Sequence, residues 1–216
     1  SALLIAISAA AFAVEDAPQE QMNFHEVRVT LVSLPTSYTS HLQNKSTNKS
    51  YDSSGNLDNS GELSIGYQFS HYVDPIASVI AGINLDFIGS KEKTNGVTDT
   101  TSNVGPSVHI GAGIRPVYYF NLEGLFFAGL GTAEEKTTGL FSKDISSSSG
   151  SYVKYGAELR GVFTMGPGFQ LFAEIGYVGI DQTLKYSSDP SIDLGELEFT
   201  NKANGVMYGL GAGWRF

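Results

Sequence analysis

The stretch YGLGAGWRF at residues 208–216 carries the pattern that decides the fold. Its apolar members occupy alternate positions, namely Tyr208, Leu210, Ala212, Trp214 and Phe216. Glycines and Arg215 fill the positions between them. Side chains at every second position of a β-strand point to the same face, so this stretch has one aromatic face and one small or charged face. The pattern predicts a strand whose faces meet different surroundings, at a terminus held in regular structure.

The same period-two alternation recurs along most of the chain. It is clearest in 62–70, ELSIGYQFS, where leucine, isoleucine, tyrosine and phenylalanine share one face and polar residues share the other. Segments 152–164 and 169–177 repeat it. Helical spacing does not sort residues in this way. We therefore predict eight strands, near 24–34, 61–72, 76–89, 106–118, 122–133, 152–165, 168–181 and 204–216, of which 122–133 is the least clearly patterned.

The connections between the predicted strands alternate between short and long. The short ones contain turn chemistry, in YVDP at 72–75, YFNL at 119–122 and GPG at 166–168. The long ones are rich in Ser, Thr, Asn, Gly and Lys and cover 35–60, 90–105, 134–151 and 182–203. This arrangement predicts an all-β fold, a closed antiparallel eight-stranded transmembrane β-barrel with up-and-down order, short periplasmic turns and four long extracellular loops.

The content of the polar face distinguishes a membrane barrel from a soluble one. A soluble eight-stranded barrel such as a lipocalin turns its apolar face inward, around a ligand. Here the polar face mixes glycines with charges of both signs, which suits the narrow interior of an eight-stranded barrel, and the apolar face suits lipid. The predicted charge network of the lumen comprises Glu26, Arg28, Glu62, Asp86, His109, Arg115, Glu158, Arg160 and Glu174. Enclosed charges must be paired, so we expect this network to plug the lumen.

Composition excludes several classes of function. The net charge is −9, with 13 Lys and Arg against 22 Asp and Glu, which argues against a nucleic-acid partner. There is no cysteine, hence no disulfide and no thiolate site.

Residues 1–13, SALLIAISAAAFA, are predicted to be a signal-peptide remnant, which is too short to span a bilayer. A buried helix is the alternative. Residues 14–23 then form a short periplasmic segment, and 24–216 form the barrel domain.

The alternating aromatics that end in Phe216 resemble the last strand of small bacterial outer-membrane β-barrels of the OmpA and OmpX type. In that family the ending is read by the barrel-assembly machinery, which implies that Tyr208, Trp214 and Phe216 act as assembly signal and as interfacial aromatic girdle. The resemblance implies location in the bacterial outer membrane, without the periplasmic domain of OmpA. The expected partners are outer-membrane lipid and lipopolysaccharide, the assembly machinery during biogenesis and an unidentified extracellular ligand, and the expected state is a monomer.

Function is expected to reside in the extracellular loops, because loops on a rigid scaffold commonly carry binding. Aromatic and apolar candidates in the loops are Tyr38, Tyr51, Leu140, Phe141 and Tyr186. A structural or surface-recognition role is the prediction. A narrow small-solute channel and a lipid-modifying enzyme are the alternatives, and His41 beside Ser40 is the best-placed catalytic candidate.

No cofactor or metal site is predicted. The segment SSDPSIDLGELE at 187–198 gathers four carboxylates, Asp189, Asp193, Glu196 and Glu198. Such oxygen ligands suit calcium, but their spacing matches no EF-hand, and an acidic loop is more often solvated.

Overall fold

The computed structural model describes residues 23–94, 96–138, 144–186 and 197–216. The predicted signal-peptide remnant and all but the last residue of the predicted periplasmic segment lie outside these ranges. Ten strands run in chain order: β1 (Asn23–Ser33), β2 (Ser37–Asn44), β3 (Lys49–Asn56), β4 (Asn59–Tyr72), β5 (Ala77–Thr94), β6 (Val97–Val117), β7 (Phe120–Thr138), β8 (Asp144–Met165), β9 (Phe169–Tyr186) and β10 (Leu197–Arg215). The described part of the chain contains no helix long and apolar enough to cross a membrane.

Eight of the ten strands form a ring. The order β1-β4-β5-β6-β7-β8-β9-β10 is antiparallel throughout, and β1 also pairs with β10. That last pairing runs from Glu26 opposite Arg215 to Ser33 opposite Tyr208. The eight ring strands correspond in order to the eight predicted ones. β2 and β3 form an additional hairpin that continues along β10 beyond the end of β1, from Ala203 opposite Tyr38 to Leu197 opposite Asn44.

The predicted long loops are largely wrong, because most of their residues continue the strands. β5 and β6 stay paired as far as Thr94 opposite Val97, and β8 and β9 as far as Ser148 opposite Tyr186. Segment 35–60 contains the β2–β3 hairpin. In these extensions polar residues occur on both faces, so the period-two signal disappears while the backbone pairing continues. We call the end with turns 73–76, 118–119 and 166–168 the turn end, and the opposite end the mouth.

The outer face of the ring carries exposed apolar side chains, which we call the apolar band. On β10 the band runs from Val206 to Phe216, and on β8 it includes Leu159, which is 58% exposed. The ten residue steps from Val206 to Phe216, at about 3.3 Å each and a tilt of about 40°, span about 25 Å along the barrel axis. This height matches the hydrocarbon region that membrane barrels cross.

The interior is divided into layers. On β1, β5, β8 and β9, a charged inward residue lies toward the turn end and an apolar inward residue lies nearer the mouth. The apolar residues form one contact cluster, the apolar layer: Val32, Leu34, Ile88, Ala133, Tyr152, Val178, Ile180, Leu184 and Met207. Tyr152, at 1% exposure, is one of the largest fully buried side chains and belongs to this layer. On these four strands, apolar side chains therefore lie between the charged residues and the mouth.

Candidate functional site

The charged interior begins near the turn end with Glu26, Glu123, Arg28 and Arg215, the lower cluster. Arg28 donates from Nε to Glu26 Oε2 at 2.8 Å and from Nη1 to Glu123 Oε2 at 3.0 Å. Arg215 Nε donates to Glu26 Oε1 at 2.7 Å. The neighbours of Arg28 in register are Gly66 on β4 and Gly213 on β10, which leave space for the long side chain. The lower cluster therefore contains two carboxylates and two cations in direct contact.

The second group of charges, the upper cluster, consists of Lys154 with Glu62 and Asp86, and Arg160 with Glu158 and Glu174. Lys154 Nζ lies 2.8 Å from Glu62 Oε1 and 2.5 Å from Asp86 Oδ2. Arg160 donates from Nε to Glu174 Oε2 at 3.1 Å and from Nη2 to Glu158 Oε1 at 2.5 Å. These side chains are at most 9% exposed, so the charges are enclosed.

Two of these ion pairs join opposite sides of the ring. Arg28 on β1 contacts Glu123 on β7, and Lys154 on β8 contacts Glu62 on β4. In each pair the two strands are four places apart in a ring of eight. Gln68 links the two clusters, because its Nε2 donates to Glu123 Oε1 at 3.3 Å and its Oε1 accepts from Arg160 Nη1 at 3.2 Å. The charges therefore form cross-links through the centre of the lumen.

The structure brings together eight of the nine residues predicted for the lumen network. Those eight are Glu26, Arg28, Glu62, Asp86, His109, Glu158, Arg160 and Glu174, each 9% exposed or less. The ninth, Arg115, lies apart from the other eight, and within the described residues it makes no ion pair with them. Its guanidinium lies at the turn end, donates from Nη2 to the carbonyl of Pro75 at 3.2 Å, and stacks 4.2 Å from the ring centre of Tyr72. Arg115 sits where β6 approaches its turn, and the adjacent aromatic rings hold it there.

Three charged members of the interior are missing from the predicted network. Lys154 and Arg215 alternate in phase with the polar face, so the period-two pattern includes them. Glu123 has no such signal, because on β7 apolar side chains occur on both faces. Leu125 is 1% exposed and points inward, whereas Phe126 is 69% exposed and points outward. The alternation around Glu123 is therefore obscured in the sequence.

The predicted girdle residues at the end of the chain lie on the outer face. Tyr208, Trp214 and Phe216 are 63%, 49% and 59% exposed. The Phe216 ring also stacks on the His25 ring, with centroids 6.0 Å apart. Phe216 thus contacts β1 as well as extending the apolar band to the turn end.

The mouth contains a chamber of about 270 Å³ above the apolar layer, which we call the mouth chamber. Its walls include Tyr38, Phe199 and three carboxylates, Glu92, Asp99 and Glu135. The Tyr38 hydroxyl donates to Glu92 Oε2 at 2.7 Å and so ties the β2–β3 hairpin to β5. Partial burial, followed by this bond to Glu92, raises the pKa of Tyr38 to about 12.

Of the other predicted loop residues, Tyr51 lies on β3 and is 63% exposed. Tyr186 is the last residue of β9, and Leu140 and Phe141 lie outside the described residues.

The candidate catalytic histidine lies on the outer face of the hairpin. His41 Nδ1 is 2.6 Å from Asp52 Oδ1, across the β2–β3 pairing. Ser40 precedes His41 in the strand, so its side chain points to the opposite face and the Ser40–His41 pairing considered from sequence is not made. Thr39 and Thr200 share the outer face with His41 and line a groove beside it.

The predicted acidic segment is described only in part. Asp189, Asp193 and Glu196 lie outside the described residues. Glu198 lies on β10 and accepts a bond from Lys45 Nζ at 2.7 Å, and this bond lowers the pKa of Glu198. Within the described ranges, no group of three or more His, Asp or Glu side chains is arranged to hold a metal ion.

Several solved structures of bacterial outer-membrane proteins resemble this chain. Ail of Yersinia pestis, solved with the heparin analogue sucrose octasulfate, is 19% identical, with 91% of this chain and 100% of Ail covered and a TM-score of 0.41. OprG of Pseudomonas aeruginosa is 10% identical, with 90% and 95% covered and a TM-score of 0.48. The outer-membrane protease OmpT of Escherichia coli is 9% identical, with 93% and 99% covered and a TM-score of 0.47. No protein-family model matches the chain, and a search of curated proteins finds no match.

Proposed function

We propose that this chain is a bacterial outer-membrane β-barrel, of the small eight-stranded type predicted from sequence, with a surface-recognition role and a closed lumen. The main support for this proposal is the distribution of polar and apolar side chains across the wall of the ring, which is the reverse of that in a soluble protein. Outward side chains such as Leu159 are apolar and exposed, whereas inward side chains such as Glu26 and Arg28 are charged and buried. This distribution suits a wall that faces lipid, where unpaired polar groups are not tolerated.

The absence of cysteine from the sequence makes this placement testable by single-cysteine labelling. Leu159→Cys lies in the apolar band, Thr39→Cys on the outer face at the mouth, and Asp74→Cys at the turn end. With a membrane-impermeant maleimide on intact cells, we expect labelling of Thr39→Cys alone. Asp74→Cys should react only after the outer membrane is permeabilised, and Leu159→Cys only after solubilisation and unfolding. Reaction of Asp74→Cys on intact cells would reverse the topology, and reaction of Leu159→Cys would refute the lipid-facing assignment.

The two interior layers support a closed lumen. The ion pairs of both clusters occupy the part toward the turn end, and the apolar layer lies nearer the mouth, beside buried polar residues such as Ser60 and Asn103. Ions crossing this interior would have to separate paired charges and enter packed hydrocarbon. We expect no discrete conductance when the purified protein is inserted in planar bilayers. Regular unitary current steps would instead support the narrow-channel alternative.

Recognition is assigned to the mouth, where the strands extend beyond the apolar band. The mouth chamber combines the aromatic rings of Tyr38 and Phe199 with the carboxylates Glu92, Asp99 and Glu135, a combination that suits cationic partners. Purified barrels in zwitterionic nanodiscs should therefore bind a lysine-rich peptide and not heparin. A variant with Glu92→Gln, Asp99→Asn and Glu135→Gln should lose this binding, and Glu198→Gln, outside the chamber, is the matched control. Equal peptide binding by both variants would remove the chamber from the recognition surface.

The enzymatic alternative rests on the His41–Asp52 pair, which has the geometry of a base oriented by a carboxylate. Both side chains are largely exposed, at 47% and 84%, whereas a catalytic base acts in a site that excludes water. We therefore propose a non-enzymatic role. Mass spectrometry of lipid A from cells with and without the protein tests this directly. A mass change that disappears in His41→Ala would establish the enzyme instead.

A further inference from the structure

The upper cluster contains twice as many carboxylates as cations. Glu62, Asp86, Glu158 and Glu174 form direct ion pairs with Lys154 and Arg160, whereas the lower cluster has two carboxylates and two cations. With every group ionised, the upper cluster would carry a net charge of −2 in an enclosed interior. An uncompensated buried charge is strongly unfavourable, and carboxyl groups avoid it by retaining a proton.

The contacts divide this excess between two pairs of carboxyl groups. Lys154 is shared by Glu62 and Asp86, and Arg160 is shared by Glu158 and Glu174. Arg160 also lies 3.6 Å from Glu123 of the lower cluster, which further divides its charge. When two carboxyl groups share one cation in a site that excludes water, their titrations are coupled. The two groups then retain one proton between them.

A small cavity lies beside the upper cluster. Its volume is about 30 Å³, and its lining includes Glu62, Glu158, Glu174, Ser107 and His109. Ser107 Oγ and His109 Nδ1 have no hydrogen-bond partner among the described residues, although the two side chains are only 2% and 6% exposed. The cavity has room for roughly one or two water molecules.

The two ring nitrogens of His109 differ in their hydrogen bonding. Its Nε2 lies 3.2 Å from Gln68 Oε1, and Gln68 Oε1 is an acceptor, so Nε2 carries the hydrogen. His109 Nδ1 is then a buried acceptor without a donor among the described residues, on a side chain that lines the cavity. Ionised carboxylates have no hydrogen to donate, whereas a protonated carboxyl group, or a water held by one, does.

We infer that the upper cluster is a proton-binding site that holds two protons at neutral pH, one on each carboxylate pair. The charged and titratable groups facing it come from every neighbouring strand: Arg28 on β1, Glu62 on β4, Asp86 on β5, His109 on β6, Glu123 on β7, Lys154, Glu158 and Arg160 on β8, and Glu174 on β9. On β1, β5, β8 and β9, residues of the apolar layer lie between this site and the mouth. The inference concerns the lumen and does not depend on the recognition role.

The test is the pH dependence of unfolding for the refolded barrel in detergent, followed by the fluorescence of Trp214, the single tryptophan. Carboxyl groups of the unfolded chain lose their protons near pH 4, so unfolding at neutral pH releases the two stored protons. Stability should therefore fall as pH rises above about 4, with the unfolding constant increasing by up to ~100-fold per pH unit until the folded barrel loses its two stored protons. Glu62→Gln or Glu158→Gln removes one stored proton, so the unfolding constant should then increase by only ~10-fold per pH unit. In the double variant the unfolding constant should be nearly independent of pH.

Glu26→Gln in the lower cluster is the matched control, which should lower stability without changing the pH slope. The inference would be overturned if the stability of the wild type did not depend on pH, or if the pH dependence persisted in the double variant. Stability that rises at fixed pH when sodium or potassium replaces choline would also overturn it, since a bound cation would then supply the missing charge. If the double variant does not fold, infrared spectra of the single variants decide, because each should lose part of the absorption of protonated carboxyl groups.

Discussion

Phe216 pairs with His25 at the turn end of the seam between β1 and β10. The Phe216 amide donates to the His25 carbonyl at 2.9 Å, and the His25 amide donates to the Phe216 carbonyl at 3.2 Å. The two rings stack, and the His25 ring also hydrogen-bonds to Tyr67 on β4. The residue expected to act as an assembly signal therefore also makes the last contacts of the β1–β10 seam.

Deleting Phe216 should reduce assembly in cells more than stability in vitro. The deletion removes two backbone bonds at one end of the seam, but the pairing from Glu26 to Ser33 remains. We expect much less heat-modifiable, folded barrel in cells and nearly normal refolding into detergent, where the assembly machinery is not needed. Phe216→Tyr is the control, since it keeps the backbone bonds and an aromatic ring. Unchanged folding in cells would leave Phe216 with only its role in the seam and the apolar band.

The effect of an arginine on the outer face should depend on its position along the barrel axis, with the largest cost in the middle of the apolar band. Leu159→Arg places a cation in the middle of the apolar band, at a cost of roughly 2–4 kcal/mol in a bilayer. Thr39→Arg, on the outer face of β2 at the mouth, should cost little because it faces water. Urea unfolding of both variants in liposomes measures the difference. Similar stability of the two variants would show that Leu159 does not face lipid.

Removing Arg28 should be among the most damaging changes in the interior. Arg28→Met leaves Glu26 with Arg215 as its one directly bonded cation among the described residues and deprives Glu123 of its two bonds from Arg28. Breaking a buried ion pair in this way costs about 3–5 kcal/mol. Urea midpoints provide the measurement. The double variant Arg28→Met with Glu123→Gln should recover part of the loss, and the absence of any recovery would argue against direct coupling across the ring.

The bond between Tyr38 and Glu92 should persist to high pH. The pKa of Tyr38 is raised to about 12, so its neutral hydroxyl is favoured in the folded state. The contribution to stability is complete below the unfolded value of about 10 and is lost as pH rises from about 10 to about 12. Ultraviolet titration of wild type against Tyr38→Phe isolates this group. Ionisation of Tyr38 near pH 10 would mean that the hairpin is not held against β5 in solution.

The sequence predicts the ring well where the two faces of a strand meet different surroundings. Leu159 and Arg160, for example, are assigned to opposite faces by alternation alone, and the structure has them 58% and 6% exposed. The pattern is lost where both faces meet water, as in the extensions toward the mouth, and where both faces are apolar, as on β7 around Glu123. Which charges contact one another, such as Lys154 and Glu62, depends on the diameter of the ring and cannot be inferred from one strand.

The cross-links through the lumen also have a consequence for the folding pathway. Arg28 and Lys154 meet Glu123 and Glu62 on strands four places away in the ring, so no single hairpin contains both partners. A partly assembled sheet would hold these groups without counter-charges, either hydrated or directed toward lipid. The interior then forms in the same event that closes the wall, so incomplete barrels gain little stability until the last pair of strands meets. Folding should accordingly be slow and highly cooperative, as expected when contacts are distant in sequence.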